Sequence, residues 1–313
     1  MSGKAGLLLV DKPTGPTSHD VVQVARRALR EKRIGHTGTL DPAATGLLVL
    51  CVGKATRLQG YLLAWEKAYE GEIRLGFATT TYDAEGEPLA PPRPVPPLTP
   101  QLLSELAQRF SGELQQLPPP FSAKKKDGKK FYELARAGEE VPREPKTVSI
   151  SQLRLEALAE DRLGFSVVCS SGTYVRSLAH DIGEVLGCGG HLAHLRRVRV
   201  GPWRVDSALA AEELAHRPLQ LPEGAWVDLD RIELPFPVVH LNPVAVQHFA
   251  RGQEVVVREV VGSFLPGSPV AVRDRAGRLV GIGQTTAYLP RARTLNLAPR
   301  TVLLEVEEGA KVC

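Results

Sequence analysis

Apolar and polar positions change period several times along the chain, and each change predicts an element. GLLLVDKP (6–13) is a short apolar run stopped by Pro13, which predicts a buried strand. From Ser18 the period lengthens: SHDVVQVARRALRE places Val21, Val24, Ala25, Ala28 and Leu29 at helical spacing behind a Ser18 cap. GLLVLCVG (46–53) reads as a strand buried on both faces, KATRLQGYLLAW (54–65) as a helix, and KAYEGEIRLGFAT (67–79) as a half-buried strand. The proline-rich passage at 87–100 leads into a short helix predicted over Gln101–Phe110. A basic excursion then interrupts the pattern, before VSISQLRLEAL and RLGFSVVCSSGTYVRSLAHDIGEVLG return to strand, turn and helix. These classes mix without a βαβ rhythm, so the expectation is α+β rather than a doubly wound sheet. A second proline cluster around DLDRIELPFPVVHLN predicts a linker, and short strands separated by Gly and Asp turns follow it. The division is therefore a larger domain over 1–235, carrying an inserted basic arm at about 118–146, and a small β-rich domain over 236–313.

Length, composition and charge narrow the function. The chain has 313 residues, is 43% hydrophobic and 24% charged, and carries a net charge of +4. That is long enough for two domains with a large core. The positive residues gather in two runs. AKKKDGKKFYELAR offers Lys124, Lys125, Lys126, Lys129 and Lys130 among Phe121, Phe131 and Tyr132, and HLAHLRRVRVGPWR offers Arg196, Arg197, Arg199 and Arg204. One charge run is ordinarily a solvated face; two, mixed with aromatics, favour an RNA partner. The four cysteines, Cys51, Cys169, Cys188 and Cys313, show no C-x-x-C spacing, and the first two sit in apolar runs, so reduced thiols, no metal and a cytoplasmic location are expected. The apolar stretch near the N-terminus is broken by Asp11 and Lys12, and reads as a core strand rather than a signal peptide or a span.

The densest chemistry lies in RIGHTGTLDPAATG (33–46), where glycines and hydroxyl residues surround one carboxylate, Asp41. On local pattern alone, Asp41 before Pro42 fits a helix N-cap with proline at N1. The alternative starts from Gly35, Gly38 and Gly46, which allow close backbone approach, and from Pro42, which holds Asp41 extended so that it can point into a cleft. The loop has no second carboxylate for a glycosidase pair, no metal-ligand cluster and no phosphate-cradling GxxxxGK[ST]. A lone carboxylate acting as nucleophile or base on a nucleoside remains. Tyr174 and Arg176, two apart in SSGTYVRSLAHDIG, would project to the same side of an extended segment, where Arg176 could pair with Asp41. Taken alone, Arg176 also fits a surface arginine, and Tyr69 and Tyr174 fit packing residues.

Together, LLVDKPTGPTSHDVV, GHTGTLDPAATGLLVLCVGKATR, KAYEGEIRLG, PPPFSAKKKDGKKFYELAR and SGTYVRSLAHDIGEVLGCGGHLAHLRR resemble the TruB family of tRNA pseudouridine-55 synthases across most of residues 5–205. GSPVAVRDRAGRLVGIGQ resembles a PUA domain, a small RNA-binding module. The resemblance implies an α+β catalytic domain whose mixed, mostly antiparallel sheet carries a central RNA-binding cleft. It implies no cofactor, a monomer, and as substrate the uridine of the TΨC stem-loop of tRNA. It matches Asp41 to the catalytic aspartate, His36 to the residue that fills the gap left by the flipped base, and Tyr69 to the tyrosine that stacks on the uracil. Tyr174 and Arg176 match the pair lining the site, with Arg176 as ion partner of Asp41, and Leu195 an apolar residue packing on the base. Arg57, Lys124, Lys125, Lys129, Lys130, Arg196 and Arg197 are expected on the RNA backbone. Lys12 and Pro13 match a motif of architectural role. The family often carries a longer insertion in its C-terminal core than this chain has, a difference that touches none of these residues.

Pseudouridine formation breaks the N1–C1′ bond, turns the uracil and joins C5 to C1′, so it needs a carboxylate beside the sugar and a pocket that retains the free base. Attack of Asp41 on C1′, attack on C6 and removal of the C2′ proton all remain open. A tRNA-elbow folding chaperone with little or no catalysis is the rival from a different class, and an RNA glycosylase releasing uracil is a third.

Overall fold

The computed structural model describes residues 5–120, 125–126, 129–130, 144–216 and 220–304. Its strands up to residue 228 are β1 (Gly6–Lys12), β2 (Ile34–His36), β3 (Thr45–Val52), β4 (Lys67–Leu75), β5 (Gly112–Gln116), β6 (Lys125–Lys126), β7 (Lys129–Lys130), β8 (Lys146–Ala159), β9 (Arg162–Cys169), β10 (Gly190–Val200), β11 (Trp203–Arg204), β12 (Leu209–Ala210) and β13 (Trp226–Asp228). The principal sheet runs β12-β1-β3-β10-β4-β9-β8-β5, with β2 on β3, β11 on β10 and β13 on β1. Among the described residues, only β1–β12 and β3–β10 pair in parallel within it. The α+β class matches the expectation, with local differences. Helix Ser18–Leu29 is capped by Thr17 in a capping box with Asp20, one residue before the expected Ser18, and 54–65 is a 3₁₀ turn followed by one short α-helical segment rather than one helix.

The sheet has two halves, each with its own helix. Helix Ser18–Leu29 seats Val21, Val22, Ala25 and Leu29 on Leu8, Val10, Leu48 and Leu50, while helix Val175–Val185 seats Val175, Leu178 and Ile182 with Ile73, Leu163, Phe165 and Leu192. The halves meet where β3 and β10 pair at two positions only, Arg196 with Thr45 and Arg197 with Gly46. Gly46 is required there: its φ is +100°, and a β-carbon would lie 2.3 Å from the Arg197 carbonyl oxygen. The loop before β3 and the start of helix Val175–Val185 both open beside this junction.

A second sheet follows, built from β14 (Val238–Leu241), β15 (Val255–Val257), β16 (Pro269–Asp274), β17 (Leu279–Leu289) and β18 (Thr294–Val302) in the order β14-β16-β17-β18-β15. It is not merely tethered. Leu279, Ile282 and Leu303 share a buried cluster with Leu7, Val49, Leu58 and Ile232, Arg57 donates to the Val302 carbonyl (2.6 Å), and the Leu279 N–H donates to Asp230 (2.9 Å).

Candidate active site

Asp41 stands in a turn, not at a helix start, so the N-cap alternative does not hold: the Ala44 N–H closes the turn on the Asp41 carbonyl (3.1 Å), and β3 follows directly. Both neighbours of Asp41 are anchored. Ser18 Oγ donates to the Leu40 carbonyl (3.0 Å) and accepts from the Leu40 N–H (2.8 Å), fixing Leu40 to the first turn of its helix. The Pro42 carbonyl accepts from the Gly15 N–H (3.0 Å) and from Lys12 Nζ (3.1 Å). Lys12 is fully buried and gives its remaining N–H bonds to the carbonyls of Pro13 (2.8 Å) and Pro16 (2.9 Å). Burial lowers its pKa, and nearby Asp41 counters the shift.

Arg176 approaches from the other half. Tyr174 has extended backbone while Arg176 lies in the first turn of the helix, so the expectation of one extended segment fails, yet both line the same cavity. Gln116 makes this helix start possible. Its side chain accepts from the Tyr174 N–H (2.7 Å) and donates to the Tyr174 carbonyl (3.0 Å), where Tyr174 itself supplies no side-chain cap. Arg176 Nε then reaches Asp41 Oδ2 at 3.1 Å, while its Nη1 reaches Asp83 Oδ2 at 3.1 Å and the Thr81 carbonyl at 3.2 Å. The Arg176 and Asp83 side chains are 11% and 13% exposed against 45% for Asp41, so the bridge is sheltered at one end and open to the cavity at the other. That asymmetry is what a reactive carboxylate needs: its partner is fixed and its free oxygen accessible.

The cavity has a volume of about 370 Å³ and is lined, among others, by Asp41, Lys67, Tyr69, Tyr174, Arg176 and Leu195. Tyr69 enters from β4 opposite Arg197 of β10. Burial raises the Tyr69 phenol, with the Arg197 guanidinium pulling the other way, so the ring is a neutral platform. Lys67 is buried at the cavity's edge, donating to the carbonyls of Leu63 (2.6 Å) and Trp65 (2.5 Å), and burial pulls its pKa down to about 8. His36 ends β2 and does not line this cavity. Its Nδ1 accepts from the Gly38 N–H (3.3 Å), and burial, with help from Arg197 and His19, lowers its pKa, leaving the imidazole neutral at pH 7.

The basic residues divide. Arg197 departs from the expected phosphate contact: it is 2% exposed, and its guanidinium donates to the carbonyls of Leu47 (2.7 Å), Gly38 (3.0 Å) and Thr39 (3.4 Å), tying the Asp41 loop to β10. Arg196 is half-exposed and forks onto Asp11 at 2.7 and 3.0 Å, and Arg57 is engaged with Val302. Lys125 pairs with Lys130 and Lys126 with Lys129 across the β6–β7 hairpin, whereas Lys124 lies outside the described residues, as does most of the arm. Sequence reasoning missed Asp83, Gln116 and Lys67. Asp83 belongs to a TTTYDAEGE turn whose composition signals only a loop, Gln116 acts on Tyr174 58 residues away, and Lys67 reads in sequence only as the first residue of a half-buried strand. Among the described residues, no group of three or more His, Cys, Asp or Glu is arranged to hold a metal, and no helix is long and apolar enough to cross a membrane. Cys51 and Cys169 are buried thiols, pushed up to about 12 and about 11.

Comparison with known proteins bears on this geometry. A family model described as the TruB family pseudouridylate synthase N-terminal domain matches residues 26–175, and one described as the tRNA pseudouridylate synthase B C-terminal domain matches residues 176–235. The tRNA pseudouridine synthase B of Stutzerimonas stutzeri is 42% identical over 289 residues, covering 90% of this chain and 92% of its own. That of Burkholderia mallei is 43% identical over 283 residues, covering 90% and 93%. Among solved structures, a Cbf5-Nop10-Gar1 complex aligns with a TM-score of 0.75 at 25% identity, over 96% of this chain and 85% of that one. An H/ACA RNP bound to a substrate RNA containing 2′-deoxyuridine aligns with a TM-score of 0.74 at 23% identity over 96% and 85%, a likeness of fold.

Proposed function

The chain belongs to the TruB family of pseudouridylate synthases, and from that premise we propose that it isomerises the uridine of the TΨC loop of tRNA, with Asp41 as the catalytic carboxylate. Its relatives establish the coarser activity, conversion of uridine to pseudouridine in tRNA. The observation that supports the assignment of Asp41 is the Arg176–Asp41 contact of 3.1 Å at the wall of a cavity also lined by Tyr69, Tyr174 and Leu195.

In this reading the target uridine leaves the loop stack at a cost of a few kcal/mol, which stacking on Tyr69 and filling of the gap by His36 offset. Leu195 and Tyr174 complete the pocket that keeps the detached uracil near the sugar while it turns. Arg176 orients Asp41, which acts beside the ribose as the N1–C1′ bond breaks and the C5–C1′ bond forms. The C5 proton leaves to water and N1 gains one, so the change is an isomerisation that balances without a redox partner. Arg57, Lys124, Lys125, Lys129, Lys130 and Arg196 are assigned to the RNA backbone, and the 236–313 region to a PUA-like RNA-binding role. Arg197 is left out of the phosphate set because its donors are used internally.

The test is tritium release from an unmodified tRNA transcript labelled at uridine C5. About one equivalent released per tRNA, lost in Asp41→Asn while tRNA affinity stays within about tenfold, supports the proposal, because phosphate contacts carry most of the binding. Normal release by Asp41→Asn would remove Asp41 from the chemistry. Absence of release from a bound, folded tRNA by the wild-type protein would favour the chaperone alternative.

A further inference from the structure

Three consecutive residues, Thr81, Tyr82 and Asp83, are each held by one face of the helix that carries Arg176. Arg176 and His180 are four apart, and so lie one turn apart on the same face. Arg176 takes the Thr81 carbonyl and the Asp83 carboxylate. His180 takes the residue between them: its ring lies parallel to the Tyr82 ring, with centroids 3.8 Å apart and planes 6° apart. Tyr82 also adopts φ +64°, a left-handed conformation unfavourable for a residue with a β-carbon. The surroundings impose it. The Tyr82 N–H donates to the Thr79 carbonyl (3.2 Å), the Tyr82 carbonyl accepts from the Leu192 N–H (3.0 Å), and Thr79 Oγ1 donates to the Asp83 carbonyl (2.6 Å). This reversal at Tyr82, together with the bonds from Thr81 Oγ1 (2.5 Å) and the Glu85 N–H (3.1 Å) to Asp83 Oδ1, turns the Asp83 carboxylate back towards Arg176.

We propose that the Tyr82–His180 stack is a positioning device for the reaction, acting on Asp41 through Asp83 and Arg176. The inference rests on the assignment of Asp41 as the catalytic carboxylate. The physical chain is short. Asp83 and the Thr81 carbonyl occupy Nη1 of Arg176, which sets the plane of the guanidinium and thereby the direction in which Nε meets Asp41. Thr81 Oγ1 and the Glu85 N–H also hold Asp83 Oδ1, so a mobile Tyr82 would loosen the Asp83 turn rather than release it, and Arg176 would then hold Asp41 in a broader distribution of orientations. Neither ring lines the cavity that holds Asp41, so the stack affects the rate without contacting the substrate there. Tyr82 and His180 are positioning residues, not catalytic ones.

Four variants test this: Tyr82→Gly, His180→Ala, Tyr82→Phe and His180→Phe, each assayed by single-turnover tritium release, tRNA affinity and thermal melting, beside Asp41→Asn. Glycine accepts φ +64° without strain, so Tyr82→Gly removes the ring while relieving the backbone. The expected result is a rate about ten- to a hundredfold lower for Tyr82→Gly and for His180→Ala, with tRNA affinity within about twofold of wild type. Both phenylalanine variants keep a stacked pair and restore the rate to within about threefold. The double variant Tyr82→Gly/His180→Ala falls no further than the worse single, because the two rings act as one unit. Full rates in both Tyr82→Gly and His180→Ala would overturn the proposal. So would losses that follow tRNA affinity, or phenylalanine variants as slow as the deletions. If Asp41→Asn is itself active, the parent assignment has failed; if Asp41→Asn is inactive and the ring deletions are not, only the positioning role has.

Discussion

Replacing Lys12 by methionine tests how the Asp41 turn is held. The side chain is fully buried and its three N–H bonds end on three carbonyls at 2.8, 2.9 and 3.1 Å, the last belonging to Pro42, the residue after Asp41. Methionine nearly conserves length and volume, so the cavity contribution is small. The loss comes from donors. Hydrogen bonds from a charged group contribute ~1.5–3 kcal/mol each, and each carbonyl left dry costs ~1–3 kcal/mol. Against this stands relief of the ammonium's desolvation, which is real because burial already lowers its pKa. The net expectation is a destabilisation of about 3–5 kcal/mol, measured as a shift in urea-unfolding free energy. Activity should fall further than folding explains. Pro42 keeps only its bond from Gly15, so single-turnover tritium release, measured where the variant is fully folded, should drop at least about tenfold. Arginine should not rescue, because a planar fork cannot send three donors to carbonyls grouped around a tetrahedral ammonium. A Lys12→Met protein within about 0.5 kcal/mol of wild type and equally active would refute the reasoning.

Gly46→Ala should destabilise by about 3–5 kcal/mol, since it combines left-handed strain with overpacking against the Arg197 backbone; a calorimetric melting point equal to wild type would count against this. Asp83→Asn keeps shape and removes charge from a pair 13% and 11% exposed, so the single-turnover rate should fall about tenfold with tRNA affinity unchanged; a loss confined to affinity would contradict the orienting role. Lys67 has a folded pKa of about 8 against an ordinary 10.5, so the unfolded chain binds the proton more tightly. Its contribution to stability is greatest above pH 10.5 and is lost as pH falls through about 8; Lys67→Met should therefore show a shallower rise in urea midpoint between pH 7.5 and 9.5 than wild type, and an identical slope would refute the shift.

How much of this was legible in sequence depended on whether a residue's role is local. The β1 and β3 strands follow from unbroken apolar runs, and Asp41 stood out because its loop joins glycines to a carboxylate ahead of Pro42. Its turn could not be told from a helix start, since Pro42 suits both, and tertiary anchors on Leu40 and Pro42 decided between them. Arg197 was misread because an Arg-Arg-x-Arg run on a strand alternates faces: Arg196 reaches solvent while Arg197 turns inward to carbonyls 150 residues or more away in sequence. Asp83 and Gln116 were invisible for the same reason. Each acts on the helix near residue 176 across a gap of more than 50 residues, and no local period encodes that meeting.

The burial of Leu279, Ile282 and Leu303 alongside Leu7, Val49 and Leu58 has a consequence for how the molecule meets a large RNA. Two regions joined by a flexible linker would adjust their separation to whatever they grip. Here the second sheet shares a core with the first, so its outer surface and the Asp41 cavity keep a constant spacing. If the second sheet binds RNA as proposed, an RNA that touches both would itself need that spacing, and the shared core would make the protein a gauge of tertiary shape. A chain cut before β14 would open Leu7, Val49 and Leu58 to water, so its behaviour would report failed packing before it reported any RNA contact of the second sheet.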